Sequence, residues 1–584
     1  MFLKKSTTTI RGRTYTQYKI AESYRQDGKV KHRILFPIGK LTDEEAERLR
    51  LAISAHSNPE VIVAKFDDLV VTKHLAHLDV ICLHHFWQAW EFNKFFNTET
   101  WVEPMVINRC LDPMSKINIK DWSIKTILPA ITLNDISEAD EYEIYRELDH
   151  LAKLEFELQN FIFQKLTERQ HFLDDVLFYD ITSSYFEGSK CLIAKYGYSR
   201  DHRPDNQQIV LALMITKEGY PFYWQVMEGN TTDITTIETL VANIKQRFKI
   251  KTCTLVFDRG MVSADNLACI EQGELWYISA MDKNEIKKTG ILDLAIPEAV
   301  SLDDWEQVLS LREFHPVNEN GFLYYREFMR DGCRYVISFD VARFLGDRKS
   351  RYNRLEQVRT WIKTKNQELA QAKKSRRLDV LSNEVKLLLA KNQVRKIVDV
   401  KIEPYTVVVQ NKKGQERIVN TFRLNPEFSI QAEREEQRLD GITCFISNLA
   451  NQSCSASELI DNYRRKNKVE EAFREIKSYI CLRPIHLTRV QRVKAHVMVC
   501  MLSYFLFNDI ELRLKAKDVG LSPLSVFERL RDCQVDQITV KGSRKSRLQI
   551  TEPAVEQVRL LQDLSCEYLI DTKYFRPLLK KLKI

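Results

Sequence analysis

No two of the twelve cysteines form a C-x-x-C pair, which excludes zinc-ribbon and dithiol redox motifs across all 584 residues. They sit singly among apolar neighbours, as Cys253 does in KTCTLVFD, the setting of reduced and buried thiols. The twelve histidines form no H-E-x-x-H, and His84-His85 has no second pair at metal-ligating spacing, so zinc is not indicated. A G-x-x-x-x-G-K-[ST] phosphate loop is also missing: Gly188-Ser189-Lys190 lacks the upstream glycine, and ATP is not implied. The longest apolar stretch, Val497 to Phe507, falls short of the roughly 18 residues that cross a bilayer, and Met1–Arg11 is basic without an apolar signal core. Glycine and proline are scarce, 17 and 15, beside 44% hydrophobic residues, which rules out collagen, low-complexity and disordered chains. What remains is an ordered, soluble, intracellular chain of about four modules at roughly 150 residues each.

Charge is unevenly placed. Residues 1–40 hold ten Lys/Arg against Glu22 and Asp27, which accounts for the whole formal surplus of +8. Alternation around Tyr15–Ile20, a turn at Gln26-Asp27-Gly28 and a second run at His32–Ile38 predict a basic β-hairpin arm over 1–40. Such an arm attracts a phosphate backbone by counterion release. A helical module is expected over 41–173, from apolar residues at three-to-four spacing in Glu44–Ala55, Thr72–Phe95 and Asp140–Leu166, with breaks near Pro113 and Pro129.

Period and residue type then change. Val176–Ile181 (VLFYDI) is an apolar run with one carboxylate inside it, Asp180. Gln208–Thr216 and Tyr220–Met227 read as two strands joined by Lys217-Glu218-Gly219, followed by a helix over Asp233–Phe248. Thr252–Phe257 is a fourth strand with Asp258 at its carboxyl end; helix Ala264–Gln272 and strand Leu275–Ala280 come next. This is the element order of the ribonuclease H-like α/β fold, in which the first and fourth strands lie side by side. Residues 174–280 are read as the first part of that core and 441–487 as the second. Between them, 281–440 is read as a strand-rich (α+β) insertion, with strands at Phe322–Glu327, Tyr335–Phe339, Tyr405–Val409 and Arg417–Arg423 and a basic helical pair over Tyr352–Val398. A helical C-terminal region is expected over 488–584.

Two aspartates in such a core call for a third carboxylate. The helix expected over Ala456–Tyr479 contains DNYRRKNKVEEAFREIKSYI. With Tyr463 at zero and about 100° per residue, Lys466, Glu470 and Lys477 fall at roughly −60°, −20° and −40°, one narrow stripe. Val469, Ala472, Ile476 and Ile480 form the adjoining apolar face, and Glu471 lies about 100° further round. The same charges also suit an ordinary solvated face with i,i+4 pairs.

The segments YDITSSYFEG, PDNQQIVLALMITKEGYPFYWQVMEGNTTD, LVFDRGM and YRRKNKVEEAFREIKSYICLRPIHL together resemble the bacterial insertion-sequence transposases of the DDE type. More narrowly they resemble the insertion-sequence-4-like group, whose acidic helix carries Y-x2-R-x3-E-x6-K. Here that signature reads Tyr463, Lys466, Glu470 and Lys477, with Lys in place of Arg, which keeps the charge and loses the bidentate fork. The N-terminal YKIAESYRQDGKVKHRILFPIG and NRCLDPMSKINIKDW are similar to one branch of the group.

The resemblance implies a catalytic, metal-holding triad of Asp180, Asp258 and Glu470, with Asp180 bridging two Mg²⁺ and Mn²⁺ as the alternative ion. It places Tyr463, Lys466, Lys477 and Arg474 on DNA, and it implies double-stranded element ends and target DNA as partners. A homodimer on DNA, a bacterial cytoplasmic, nucleoid-associated location and no membrane are expected. Two metal ions and positioning carry such phosphoryl transfer, so no nucleophilic Ser or Cys is required. The activity implied is binding of terminal inverted repeats, cleavage and strand transfer. Its rivals are a ribonuclease H-like nuclease without strand transfer and a transposase-derived DNA-binding protein. Trp305 and Trp361 are the tryptophans of the inserted region that could stack on a base, and Lys373-Lys374-Ser375-Arg376-Arg377 could touch DNA.

Overall fold

A computed structural model describes residues 1–58, 62–132, 136, 140, 142–172, 176–295, 309, 313–318, 321–410, 414–542 and 546–582. The chain forms two compact units. One comprises Met1–Cys82, Asp121–Ser137 and Leu524–Ile584, and the other Leu83–Lys120 and Glu138–Pro523.

In the first unit the N-terminal arm is a three-stranded antiparallel sheet, Phe2–Ile10, Arg13–Gln26 and Lys29–Gly39, where the sequence predicted a hairpin. The added strand follows from a second tight turn: Arg11-Gly12 and Asp27-Gly28 both take positive φ at their two central residues, the geometry that suits a twisted hairpin. Thr42 and Glu45 close a capping box on helix Asp43–Ser57, whose Ala46, Leu49 and Ile53 pack against Leu3, Tyr18 and Ile20. Two expectations are corrected here. Thr72–Ala76, read as the start of a helix over Thr72–Phe95, belongs to a strand over Leu69–Ala76, and helix begins only at Leu78. The C-terminal region is not wholly helical, because Gln534–Val540 and Ser546–Ile550 form a three-stranded antiparallel sheet with Leu69–Ala76.

The second unit is built on a nine-stranded mixed sheet. Its order is His315–Pro316, Leu323–Arg330, Cys333–Asp340, Ile442–Ser447, Trp276–Ala280, Thr254–Val256, Val176–Tyr185, Gln208–Thr216 and Pro221–Glu228. The three strands Val176–Tyr185, Thr254–Val256 and Trp276–Ala280 run parallel and the other pairings are antiparallel. The first and fourth strands of the expected core therefore do lie side by side. Strands Leu323–Arg330 and Cys333–Asp340, read as part of the insertion, extend the core sheet instead, since Val336 pairs with Phe445.

From Val341 the chain leaves this sheet. Helices Val341–Ala370 and Leu378–Lys391 and the hairpin of Val398–Gln410 with Glu416–Phe428 share their own apolar cluster, including Leu355, Val358, Ile362, Val385 and Leu424. Trp361 packs against that cluster, and Trp305 lies outside the described residues. The basic Lys373–Arg377 stretch is the connection between the two helices. Val497 to Phe507 forms the middle of helix Val490–Ala516 and is buried on all sides, as expected of a helix without a polar face. Among the described residues no helix is long and apolar enough to cross a membrane.

Candidate active site

Asp180 stands within strand Val176–Tyr185, between the buried Tyr179 and Ile181. Burial pushes the Asp180 carboxyl up to about 6; the Lys466 ammonium opposes the shift, and the charges of Asp258 and Glu470 add to it. Asp258 follows the short strand Thr254–Val256 and accepts the Arg259 N–H at 2.9 Å, which opens a short 3₁₀ turn. Phe178 pairs with Val256 on the neighbouring parallel strand. Asp180 lies two residues beyond Phe178 and Asp258 two residues beyond the end of the neighbouring strand at Val256, and the charge of Asp258 acts on Asp180.

The third carboxylate comes from the signature helix. Ser455 and Glu458 form a capping box at its start, and the helix runs from Ala456 to Arg465 and, after a one-residue break at Lys466, from Asn467 to Ser478. Val469, Ala472, Phe473 and Ile476 are buried, and the second segment packs on strands Val176–Tyr185 and Gln208–Thr216. This orientation turns Glu470 toward Asp180 and Asp258. Glu471 faces elsewhere: it is exposed, and its charge acts on Lys468 and Tyr504 together with Glu511 of the long helix.

Lys466 is the partner common to the three acids. Its side chain is 5% exposed, and its Nζ lies 2.9 Å from Glu470 Oε1 and 3.7 Å from Asp258 Oδ1. Burial would lower its pKa, yet the charges of Asp180 and Asp258 and the hydrogen bond to Glu470 hold it above the ordinary lysine value. Tyr463 donates its hydroxyl to Asp258 Oδ1 at 3.4 Å, and its ring rests on Phe445 of strand Ile442–Ser447, centroids 5.0 Å apart. Among the described residues no three His, Cys, Asp or Glu side chains are grouped closely enough to hold a metal ion. The three carboxylates here converge on an ammonium.

The remaining sequence-predicted residues are placed differently. Lys477 is buried and its Nζ is 2.8 Å from Asp201 Oδ1, on the loop after the Asp180 strand; Asp201 also accepts from Arg483. Arg474 projects into solvent, its nearest acid being the adjacent Glu475 at 4.0 Å. Sequence reasoning missed Asp201 and its neighbour Arg200, whose guanidinium is 2.6 Å from Asp233. The only hint was the charged run RDHRPD just ahead of a largely apolar strand.

A family model described as the transposase DDE domain matches residues 171–506, a span that contains Asp180, Asp258 and Glu470. A second, described as the IS1634 family transposase N-terminal domain, matches residues 3–60, the basic sheet and the helix that packs on it. No curated protein matches the chain. With more than half of its length matched by the first model and an acidic ribonuclease H-like sheet at its centre, the chain belongs to the DDE transposases, metal-dependent enzymes that bind DNA, cut it and transfer the freed strand.

Proposed function

We propose that Asp180, Asp258 and Glu470 are the catalytic carboxylates of this transposase and that they hold two Mg²⁺, with Mn²⁺ as a substitute. The observation that supports this reading is the parallel pairing of Phe178 with Val256, two residues before Asp180 and Asp258 respectively, beside a helix that carries Glu470 and packs on the Asp180 strand. The donor chemistry suits the ion, because Mg²⁺ takes hard carboxylate oxygens, keeps several waters and needs few protein ligands, although the three side chains as they stand are not grouped closely enough to hold it. A single ammonium, Lys466, supports the same charge balance by standing where cationic charge is needed. When bound, the ions would activate the attacking water or 3′-hydroxyl and neutralise charge on the leaving oxygen.

The chain's own residues do the positioning. Tyr463 and the Arg259 amide orient Asp258, and the Ile181 amide, 2.8 Å from Asp180 Oδ1, orients Asp180. With the ions bound, the Lys466 ammonium, now beside Asp258 and Glu470, would be left to complement substrate phosphate. The spacing of Tyr463, Lys466, Glu470 and Lys477 supports a place in the insertion-sequence-4-like group, with the segment after Val341 as its insertion. The substrate is the element's terminal inverted repeats. Two ends must be cut and joined together, which supports a homodimer on DNA, and its DNA partner supports a cytoplasmic, nucleoid-associated location.

The test pairs duplexes carrying the inverted repeats that flank the gene with a supercoiled target plasmid. Joined end–target products are expected; nicking without joining would return the ribonuclease H-like nuclease reading.

A further inference from the structure

Residues 479–485, which follow the signature helix, tie the helix of Glu470 to the strand of Asp180. At their far end the Ile485 N–H donates to the Tyr185 carbonyl at 3.2 Å and the Ile485 carbonyl accepts the Glu187 N–H at 3.0 Å, so the segment is stitched to the end of strand Val176–Tyr185, which holds Asp180. At their near end Cys481 takes a φ of +55°, the left-handed backbone that stops a helix, and the Leu482 N–H turns back to the Ile476 carbonyl at 3.0 Å. Carbonyls just beyond the last helical turn have no intrahelical donor and must find one elsewhere, because a buried backbone acceptor is rarely left unpaired.

Here three consecutive carbonyls are taken up by two buried side chains. Arg109, from helix Val102–Leu111, donates through one terminal nitrogen to the carbonyls of Ile480 and Cys481 at 3.4 and 3.2 Å, and through the other to that of Met114 at 3.0 Å. His496, from helix Val490–Ala516, meets the Leu482 carbonyl at 3.1 Å; a carbonyl only accepts, so Nε2 carries the proton. The Tyr479 hydroxyl adds a bond in the other direction, to the carbonyl of Cys110 beside Arg109. Arg109 and His496 are both buried, and every hydrogen bond that Arg109 makes among the described residues goes to a backbone carbonyl. Taking a guanidinium out of water is costly, and its planar fork offsets that cost here by gathering carbonyls from two separate segments into one arrangement. A cation at this end also complements the dipole of the signature helix.

We infer that Arg109 is a positioning residue for the cut: by holding the carbonyls of Ile480 and Cys481, with His496 on that of Leu482, it fixes where the signature helix presents Glu470 to Asp180. A helix transmits such a constraint, since ten residues of it rise only about 15 Å along a hydrogen-bonded backbone. The role accounts for the arginine of NRCLDPMSKINIKDW, a stretch to which the carboxylate site by itself gives no task. This rests on Asp180, Asp258 and Glu470 being the cutting site.

The test uses the full chain and three readouts: Mn²⁺ bound by the DNA-free protein, followed by loss of the free-ion paramagnetic resonance signal; the cleavage rate at saturating end duplex; and the affinity for that duplex without metal. In Arg109→Met the dissociation constant for Mn²⁺ should rise about tenfold and the cleavage rate fall at least about tenfold, the usual cost of loosening the support behind a metal-holding side chain. Affinity for the duplex should stay that of the parent. Arg109→Lys, which keeps the charge and loses the fork, should fall between the two. All are measured well below each variant's melting temperature, so that a loss of stability alone moves none of them. Parent-like Mn²⁺ affinity and cleavage in Arg109→Met overturn the proposal, and if that variant does not fold, the same values in Arg109→Lys overturn it. A fall in duplex affinity as large as the fall in cleavage also overturns it, because Arg109 would then act on DNA binding. Mn²⁺ binding that Glu470→Gln leaves unchanged would instead indict the assignment of the site, and the proposal with it.

Discussion

Lys477 reaches from the helix that carries Glu470 to Asp201 on the loop after the Asp180 strand, and both side chains are almost wholly buried, 9% and 2% exposed. The pair joins two elements that no local pattern connects. Removing one partner of a buried ion pair strands the other charge, so Lys477→Ala should cost about 3 kcal/mol in chemical denaturation, with Arg483 limiting the loss. If Lys477 instead binds a phosphate, stability holds and the salt slope of DNA binding falls by about 0.9.

Glu470→Gln should lower end cleavage at least about a hundredfold, because metal-borne charge stabilisation amounts to several kcal/mol. Asp180→Asn and Asp258→Asn should do the same, with DNA binding kept. Glu471→Gln should cut like the parent, since that carboxylate faces Lys468 and Tyr504. A cleavage assay in which Glu471→Gln is dead and Glu470→Gln active would falsify the register.

Without its ammonium the carboxylate cluster repels itself. Lys466→Met should therefore lower the stability of metal-free protein by about 1 kcal/mol, a figure held down because Asp258 and Glu470 are 45% and 57% exposed. Added Mn²⁺ should then raise the melting temperature of the variant more than that of the parent, and Lys466→Arg should behave like the parent. Identical Mn²⁺ responses in Lys466→Met and the parent would remove Lys466 from the cation's place.

His77 is fully buried, and neither ring nitrogen has a hydrogen-bond partner among the described residues. Burial pushes its imidazole down to about 4, below the ordinary value of 6.5. The folded pKa lies below the unfolded one, so its stabilising effect is present above pH 6.5 and is lost as pH falls from 6.5 through 4. The loss reaches about 3 kcal/mol at most. His77→Phe should flatten the part of the acid-denaturation profile in that window; an unchanged profile would assign the acid response to other groups, such as the buried His496.

The N-terminal sheet presents Arg13, Lys29 and Lys31 as exposed side chains. Replacing all three by alanine should weaken binding to every duplex by a similar factor and lower the salt slope by about 0.9 for each phosphate that is no longer neutralised. Weakening confined to terminal-repeat DNA would assign base recognition to this sheet.

Local signals carried much of the fold. The strand and helix order from Val176 to Ala280 was legible because each element there has a clean period and a turn residue at its end. Leu69–Ala76 was misread because its LVVTKHLA runs straight into the helical LDVICLHHF, and its strand partner, Gln534–Val540, lies more than 450 residues away. Likewise Cys333–Asp340 was recognisable as a strand, but its membership of the core sheet depends on antiparallel pairing with Ile442–Ser447, about a hundred residues on.

By itself the sequence determined the residue types and the helical stripe: a carboxylate inside an apolar strand, a second at a strand end, and Glu470 in line with Tyr463, Lys466 and Lys477. The tertiary structure decided which charges meet. Parallel pairing put the strand of Asp180 beside the one that leads to Asp258, the packing of Val469 and Phe473 turned Glu470 toward them, Lys466 was taken up by the acids, and Lys477 was drawn to Asp201. The reason is physical: periodicity records which face of an element is apolar, whereas a buried charge is satisfied by whatever opposite charge the neighbouring element brings within a few ångströms.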